Sequence, residues 1–275
     1  MVKNMDNLKN IIDMHTHTDN SFDGHHSPVY LCEAACNKSL RAIAFTDHCE
    51  VDAFNADSER NVRQAFFEIA KARSAFMGKL LVLNGIELGQ PAYDIRTAEK
   101  ILASQKFDIV IGSVHNLRNK QDFYYIEDFS KIDVKAELKE YFNEILTMLE
   151  WGNFDILAHL TYPFRYLYSR NNIRVDINEY KEQVDEILKL TAEKDIALEI
   201  NSAGLRQPIN RMSPEIETVK RFRELGGRLV SVGSDAHYAQ HIAVGIKDAM
   251  TAAKNAGFDC VTLFQKRQPV EIPIE

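Results

Sequence analysis

The chain has 275 residues, a formal net charge of −7, 45% hydrophobic and 27% charged residues. At roughly 150 residues per domain this is one or two domains, and a single β/α barrel of about 250 residues falls within that range. Such a chain buries a large core without needing a disulfide or a structural metal, and its apolar content excludes wholesale disorder.

Short apolar runs alternate along the chain with stretches of helical spacing. In order the runs are 11–15, 42–48, 80–88, 107–115, 155–160, 196–201 and 228–235. Most are apolar almost throughout, as parallel strands covered on both faces should be. Between them, Ser58 and Glu59 open a helix over 61–77, with Phe66, Ile69, Ala70 and Phe76 on one side. A second helix over 135–149 places Leu138, Phe142, Ile145 and Leu149 on a stripe. Ser213-Pro214-Glu215 starts another, with Pro at its first position, and Gly226-Gly227 stops it. His241 opens the last helix, as a structural residue, and 261–274 reads as an extended tail. Seven strand-plus-helix units favour a closed parallel barrel over a doubly wound sheet, with one domain spanning 1–275.

No run of about 18 apolar residues occurs, so no membrane span is expected. The opening MVKNMDNLKN lacks the apolar stretch of a secretory signal, which points to a cytoplasmic location. Cys32, Cys36, Cys49 and Cys260 are too few and scattered for a disulfide framework. They are expected to be buried, reduced thiols, with Cys32 and Cys36 on one helical face. The acidic balance argues against a nucleic-acid partner. The outer helices of a barrel look alike whether solvated or paired, so no oligomeric state is assigned.

Functional groups of a β/α barrel sit at the carboxyl ends of its strands. Reading those ends in turn gives His15-Thr16-His17, Asp47-His48, Gly85-Ile86-Glu87 and Ser113-Val114-His115. Ala158-His159, Glu199-Ile200-Asn201 and Ser234-Asp235-Ala236-His237 complete the series. One histidine after an apolar run is ordinarily structural. Six of the nine histidines on one rim, each near a carboxylate, point to bound metal. Imidazole with carboxylate suits Zn, Mn or Fe, and the two histidines of an H-x-H pair share a face. The ligands are too many for one ion and suffice for two or three around a shared carboxylate. Clustered divalent ions suit phosphate esters, because they neutralise phosphoryl oxygens and lower the pKa of bound water to about 7.

In their order H-x-H, T-D-H, G-x-E, S-V-H, A-H and S-D-A-H, these motifs resemble the PHP (polymerase and histidinol phosphatase) family. The likeness is strongest to its histidinol-phosphate phosphatases and covers nearly the whole chain. Further stretches that resemble this branch are Asp122-Phe123-Tyr124, after His115, and 201–206. The resemblance implies a distorted (β/α)7 TIM-like barrel holding two or three divalent ions. One would be bound by His15, His17, Glu87 and Asp235, and a second by Glu87, His115 and His159. A third would take His48 and His237, its remaining ligand lying between Asp23 and His25. Glu87, Asp235 and His237 are then the catalytic candidates, a metal-bridging hydroxide would attack phosphorus, and Arg165 and Arg206 would clamp the phosphoryl group.

The implied reaction is hydrolysis of L-histidinol phosphate, a small phosphate monoester, to L-histidinol and phosphate. The alternatives are a phosphoesterase of the same fold acting on a nucleotide, phosphotyrosine or DNA 3′ end, and an inactive metal-stabilised domain. Asp47 is read as orienting His48 or as a helix cap. Asn201 is read as a substrate contact or a strand end. Phe123, Tyr124 and Tyr125 are read as a ring platform or as packing.

Overall fold

A computed structural model describes residues 10–275 of the chain, so the leader reading rests on residues outside the described ones. The seven apolar runs all become parallel strands. β1 (Ile12–Thr16), β2 (Ala42–Phe45), β4 (Leu81–Gly89), β5 (Ile109–Ser113), β6 (Ile156–Leu157), β7 (Ala197–Asn201) and β8 (Val230–Gly233) pair in that order. Nearly every residue of these strands is buried, as their lack of alternation requires. The ring closes between β8 and β1. There the His17 N–H donates to Ala236 O (2.9 Å) and the Asp235 N–H to His15 O (2.8 Å). The buried Asp13 carboxylate stitches the seam by accepting from the Ser234 N–H and hydroxyl and from the Ala243 N–H. The result is a seven-stranded β/α barrel rather than an open doubly wound sheet.

The run 42–48 divides in two. After β2 the chain breaks at Thr46-Asp47 and resumes as β3 (His48–Glu50), a short strand pairing with the far end of β4 so that His48 lies beside Glu87. Asp47 sits at the break. Its carboxylate accepts from the Thr18 N–H (2.6 Å) and hydroxyl (2.8 Å), tying it to the loop after β1. It does not cap a helix, since Glu50 stands at the cap of the next helical turn, and the His48 N–H donates to Ser21 Oγ (2.8 Å) in the same loop.

The helices lie close to their expected positions, with boundaries set by caps. α1 (Pro28–Asn37) starts at Ser27, and α2 (Ala56–Ala75) starts at a capping box between Asn55 and Ser58, a few residues before position 61. α3 (Ile95–Ser104) is capped by Asp94, and α4 (Val134–Trp151) by Asp133. α4 ends where Gly152 turns left-handed at φ 68°. α5 (Tyr162–Asn171) and α6 (Lys181–Glu193) follow β6.

Pro214 does not begin a helix. Glu215 is the cap of α7 (Ile216–Glu224), while Ser213 is held to Asn201 by two backbone hydrogen bonds and leaves Pro214 outside the first turn. His241 closes a single 3₁₀ turn, and the last helix, α8 (Ile246–Asn255), starts five residues later. All four cysteines are free; Cys32 and Cys49 are buried, whereas Cys36 and Cys260 are only partly so. Among the described residues no helix is long and apolar enough to cross a membrane.

The tail is a hairpin. β9 (Cys260–Gln265) and β10 (Gln268–Pro273) pair antiparallel across Lys266-Arg267, both at positive φ as a two-residue hairpin turn demands. Val261 and Leu263, with Ile272 paired opposite Val261, bury one face, and Thr262 and Phe264 are buried on the other. At the tip Arg267 meets Asp155 (2.6 Å) and the Lys266 N–H meets Asp108 (3.1 Å), just before β6 and β5. The hairpin therefore packs at the amino ends of the strands, opposite the histidines. Arg267→Ala is expected to destabilise the fold by about 1–2 kcal/mol, since it removes a charge-assisted bond from a carboxylate that is 7% exposed. Denaturant midpoints should fall while bound-ion content is unchanged; an unshifted midpoint would contradict the assignment.

Candidate metal centre

At the carboxyl rim, strand parity delivers the side chains. Asp13, His15 and His17 lie two apart along β1 and its end and share the inner face, while Thr16, between them, turns its hydroxyl to Ala44 O (2.6 Å). Gly85, Glu87 and Gly89 share a face of β4, as do Glu199 and Asn201 on β7. Asp235 follows β8 at φ 53°, a left-handed conformation that Asp tolerates better than most residues and that shapes the turn carrying it.

Glu87 is the centre of this arrangement. It is fully buried, and its two oxygens face two different sets of imidazoles. Oε2 lies 3.1 Å from His15 Nε2 and 3.5 Å from His17 Nε2. Asp235 Oδ1 stands 4.0 and 3.5 Å from the same two nitrogens. Oε1 lies 3.1 Å from His115 Nε2 and 3.0 Å from His159 Nε2, which are themselves 3.4 Å apart. A third group gathers at the mouth, where Asp23 Oδ2 is 3.0 Å from His237 Nε2 and 3.7 Å from His48 Nε2. His17 is sandwiched there, its ring 4.1 Å from His237 and 4.3 Å from His48. His25 instead stacks on Tyr238 (4.1 Å) and stays exposed, so of Asp23 and His25 it is Asp23 that stands beside His48 and His237.

The chemistry of this donor set fits divalent ions. Three groups of ligand atoms converge, from His15, His17 and Glu87, from His48, Glu87 and His115, and from His17, Asp23, His48 and His237. Asp23 Oδ1 is buried without a hydrogen-bond partner, while His17 Nε2 faces Glu87 and Asp235 at 3.5 Å and His48 Nδ1 faces Glu87 Oε2 at 3.0 Å, donors and acceptors crowded as a bound cation would require. Burial raises the Glu87 carboxyl, but the charges of His15, His48 and His115 outweigh it and hold the group well below the usual carboxylate range. Asp235 behaves alike, with burial outweighed by His15, His17 and Arg165. Burial and the neighbouring His237 and His48 push His17 down to about 3, leaving the neutral imidazole a metal needs. His48 goes the other way, to about 9, because Glu87 and Glu50 outweigh its burial. In His15 and His115 burial is likewise outweighed, by Glu199 and Glu87 in the first and by Glu50 and Glu87 in the second, which raises both well above the ordinary imidazole value; a divalent ion bound there would compete with such protons.

Two arginines border the cluster. Arg165, on α5 and 6% exposed, donates from Nη1 to Asp235 Oδ2 (3.2 Å), while its Nη2 is buried and unpartnered. The Tyr162 ring lies 4.9 Å from its guanidinium. Arg206 donates from Nη2 to Ser234 O (2.7 Å) and Asp235 O (3.1 Å), leaving Nη1 buried and unpartnered. Both therefore converge on Asp235 with one donor in reserve.

The Asn201 amide is committed to Glu199 (3.2 Å) and Asp235 (3.3 Å), which links the two carboxylates. Phe123 packs in the core, whereas Tyr124 and Tyr125 are about half exposed. Glu50 belongs to none of the strand-end motifs. Its Oε1 lies 3.1 Å from His115 Nδ1 and 3.3 Å from His48 Nδ1, joining two groups of the cluster. The signal was the spacing His48-Cys49-Glu50, which sets both polar residues on one face of a short strand. A Cβ at Gly89 would collide with this carboxylate, which accounts for the glycine there.

The chain is similar to known proteins along most of its length. The family model described as "PHP domain" matches residues 13–203. A protein of Clostridium acetobutylicum named "probable histidinol-phosphatase" is 31% identical, covering 94% of this chain and 98% of its own. The histidinol-phosphatase of Lactococcus lactis is 30% identical, covering 92% and 94%. A crystal structure of histidinol phosphate phosphatase from Lactococcus lactis, complexed with zinc, L-histidinol and phosphate, superposes with a TM-score of 0.81. That likeness spans 95% of this chain and 99% of the other at 26% identity.

Proposed function

This chain belongs to the PHP domain family, and from that premise we propose that it is a metal-dependent phosphatase hydrolysing L-histidinol phosphate to L-histidinol and phosphate. The carrying observation is likeness along the whole length of both chains to a histidinol-phosphatase whose crystals hold zinc, L-histidinol and phosphate. The site supports it, because Glu87 presents one oxygen to each of two imidazole sets, as a carboxylate shared by two ions must.

His15, His17, Glu87 and Asp235 would hold the first ion, and Glu87, His115 and His159 the second. Asp23, His48 and His237 would hold a third. Divalent ions of the Zn, Mn or Fe kind supply neutralisation of the phosphoryl oxygens there and a lowered pKa for water. The protein's own groups do the rest. Arg165 and Arg206 each offer one unpartnered, buried guanidinium nitrogen to the phosphoryl group, and a second nitrogen of each is held to Asp235, so both forks are anchored before substrate arrives. The imidazole stack of His48, His17 and His237 shields the inner carboxylates from bulk water on the open side.

The test is phosphate release from L-histidinol phosphate beside p-nitrophenyl phosphate, a thymidine nucleotide and phosphotyrosine, with bound ions counted. kcat/KM for histidinol phosphate should exceed the others by about 10³-fold, the scale of a site built to bind a substrate's polar groups. Equal slow rates on all four would leave a phosphatase of another substrate. Bound ions without turnover would favour an inactive domain.

A further inference from the structure

We propose that Glu199 is a positioning residue that sets the tautomer of His15 and ties the first ion position to the second. The proposal rests on the metal-dependent reading above. Glu199 is 1% exposed in the middle of β7, and among the described residues no ion pair with Lys or Arg explains a buried carboxylate there. Its three donors do. Oε1 accepts from His15 Nδ1–H at 2.7 Å, and Oε2 accepts from the His159 backbone N–H at 2.7 Å and from Asn201 Nδ2 at 3.2 Å.

A carboxylate can only accept, so His15 must carry its proton on Nδ1. Its Nε2 lone pair is then directed at the point where Glu87, His17 and Asp235 converge. The same carboxylate fixes the backbone of His159, whose Nε2 faces the other Glu87 oxygen. One rigid group thus sets the spacing of ligands in both sets, and Asn201 extends the link to Asp235. The barrel makes room for it. A Cβ on Gly233 would collide with Glu199 Oε1 and with His15 Cβ, so the neighbouring strand carries no side chain at that point.

Glu199→Gln is nearly isosteric, but its NH₂ accepts no hydrogen bond, so an acceptor remains on one side only. If the amide oxygen keeps His15, the NH₂ faces the His159 N–H, donor against donor. If it turns, His15 loses its acceptor. The experiment follows ion loss from the loaded native protein and from Glu199→Gln into a zinc chelator, with elemental analysis before and after. The variant is expected to bind the two inner ions about 10- to 100-fold more weakly, the range for loss of an orienting partner. A third ion on Asp23, His48 and His237 should be released at the native rate. Equal retention of all ions by variant and native protein would overturn the proposal. A native protein that holds no ions would overturn the metal reading with it.

If the variant does not fold, ¹⁵N spectra of the loaded native protein decide. A proton on His15 Nδ1, with Nε2 shifted as a ligand, supports the assignment. A proton on Nε2 overturns it. Glu199→Asp, too short to reach all three donors, should rescue less than half of the lost affinity; full rescue would mean that negative charge alone is required.

Discussion

Glu87→Gln is expected to lower kcat by about 10³-fold or more and to empty two ion positions together, because it removes one charge that both share. The geometry makes the effect double. Oε2 faces His15 and His17, Oε1 faces His115 and His159, and the residue is fully buried, so water cannot replace a lost oxygen. A glutamine presents one acceptor and one NH₂ donor. Whichever way it turns, the NH₂ points at imidazole nitrogens that need lone pairs free for a cation. Elemental analysis should show loss of more than one ion per chain, with the barrel still folded by circular dichroism. Near-native turnover with a full complement of ions would remove Glu87 from the shared role.

Arg165→Ala should lower kcat/KM by about 10²-fold, the usual cost of deleting one donor to a charged transition state, and weaken competitive inhibition by inorganic phosphate. Ion content should be unchanged. Arg165 makes one bond to the Asp235 carboxylate, but His15, His17 and Asn201 also stand around that carboxylate and keep it placed. Arg165→Lys keeps the charge and loses the fork, so it should recover only part of the activity. The opposite pattern, ions lost in step with activity, would make Arg165 a support for Asp235 and leave Arg206 as the phosphate ligand.

The seven strands and their order along the barrel could be read from residues alone, because burial on both faces leaves an uninterrupted apolar run. The shortest strand, Ile156–Leu157, and the divided run at Ala42–Phe45 and His48–Glu50 show the limit of that signal. Where a strand stops coincides with hydrogen bonds to distant segments, such as those between Asp47 and Thr18, and periodicity carries no record of them. The same holds for Pro214. Beside Glu215 it reads as a helix start, yet the pairing of Ser213 with Asn201 keeps it outside α7.

The candidate ligands were legible for a related reason. His and Asp at strand ends are local features, and a parallel barrel brings all such ends to one rim. His15, His17, His48, Glu87, His115, His159, Asp235 and His237 meet there with no misplaced member among them. What the residues alone determined is thus which side chains reach the rim, since strand parity and the carboxyl-end rule depend only on neighbours in sequence. Tertiary structure decided how they pair. Asp23 rather than His25 turns toward His48 and His237, Glu50 joins His48 to His115, and Glu199 reaches across 184 positions to His15. Each of those choices depends on the angle at which one loop or strand meets another, which closure of the barrel sets and no local pattern encodes.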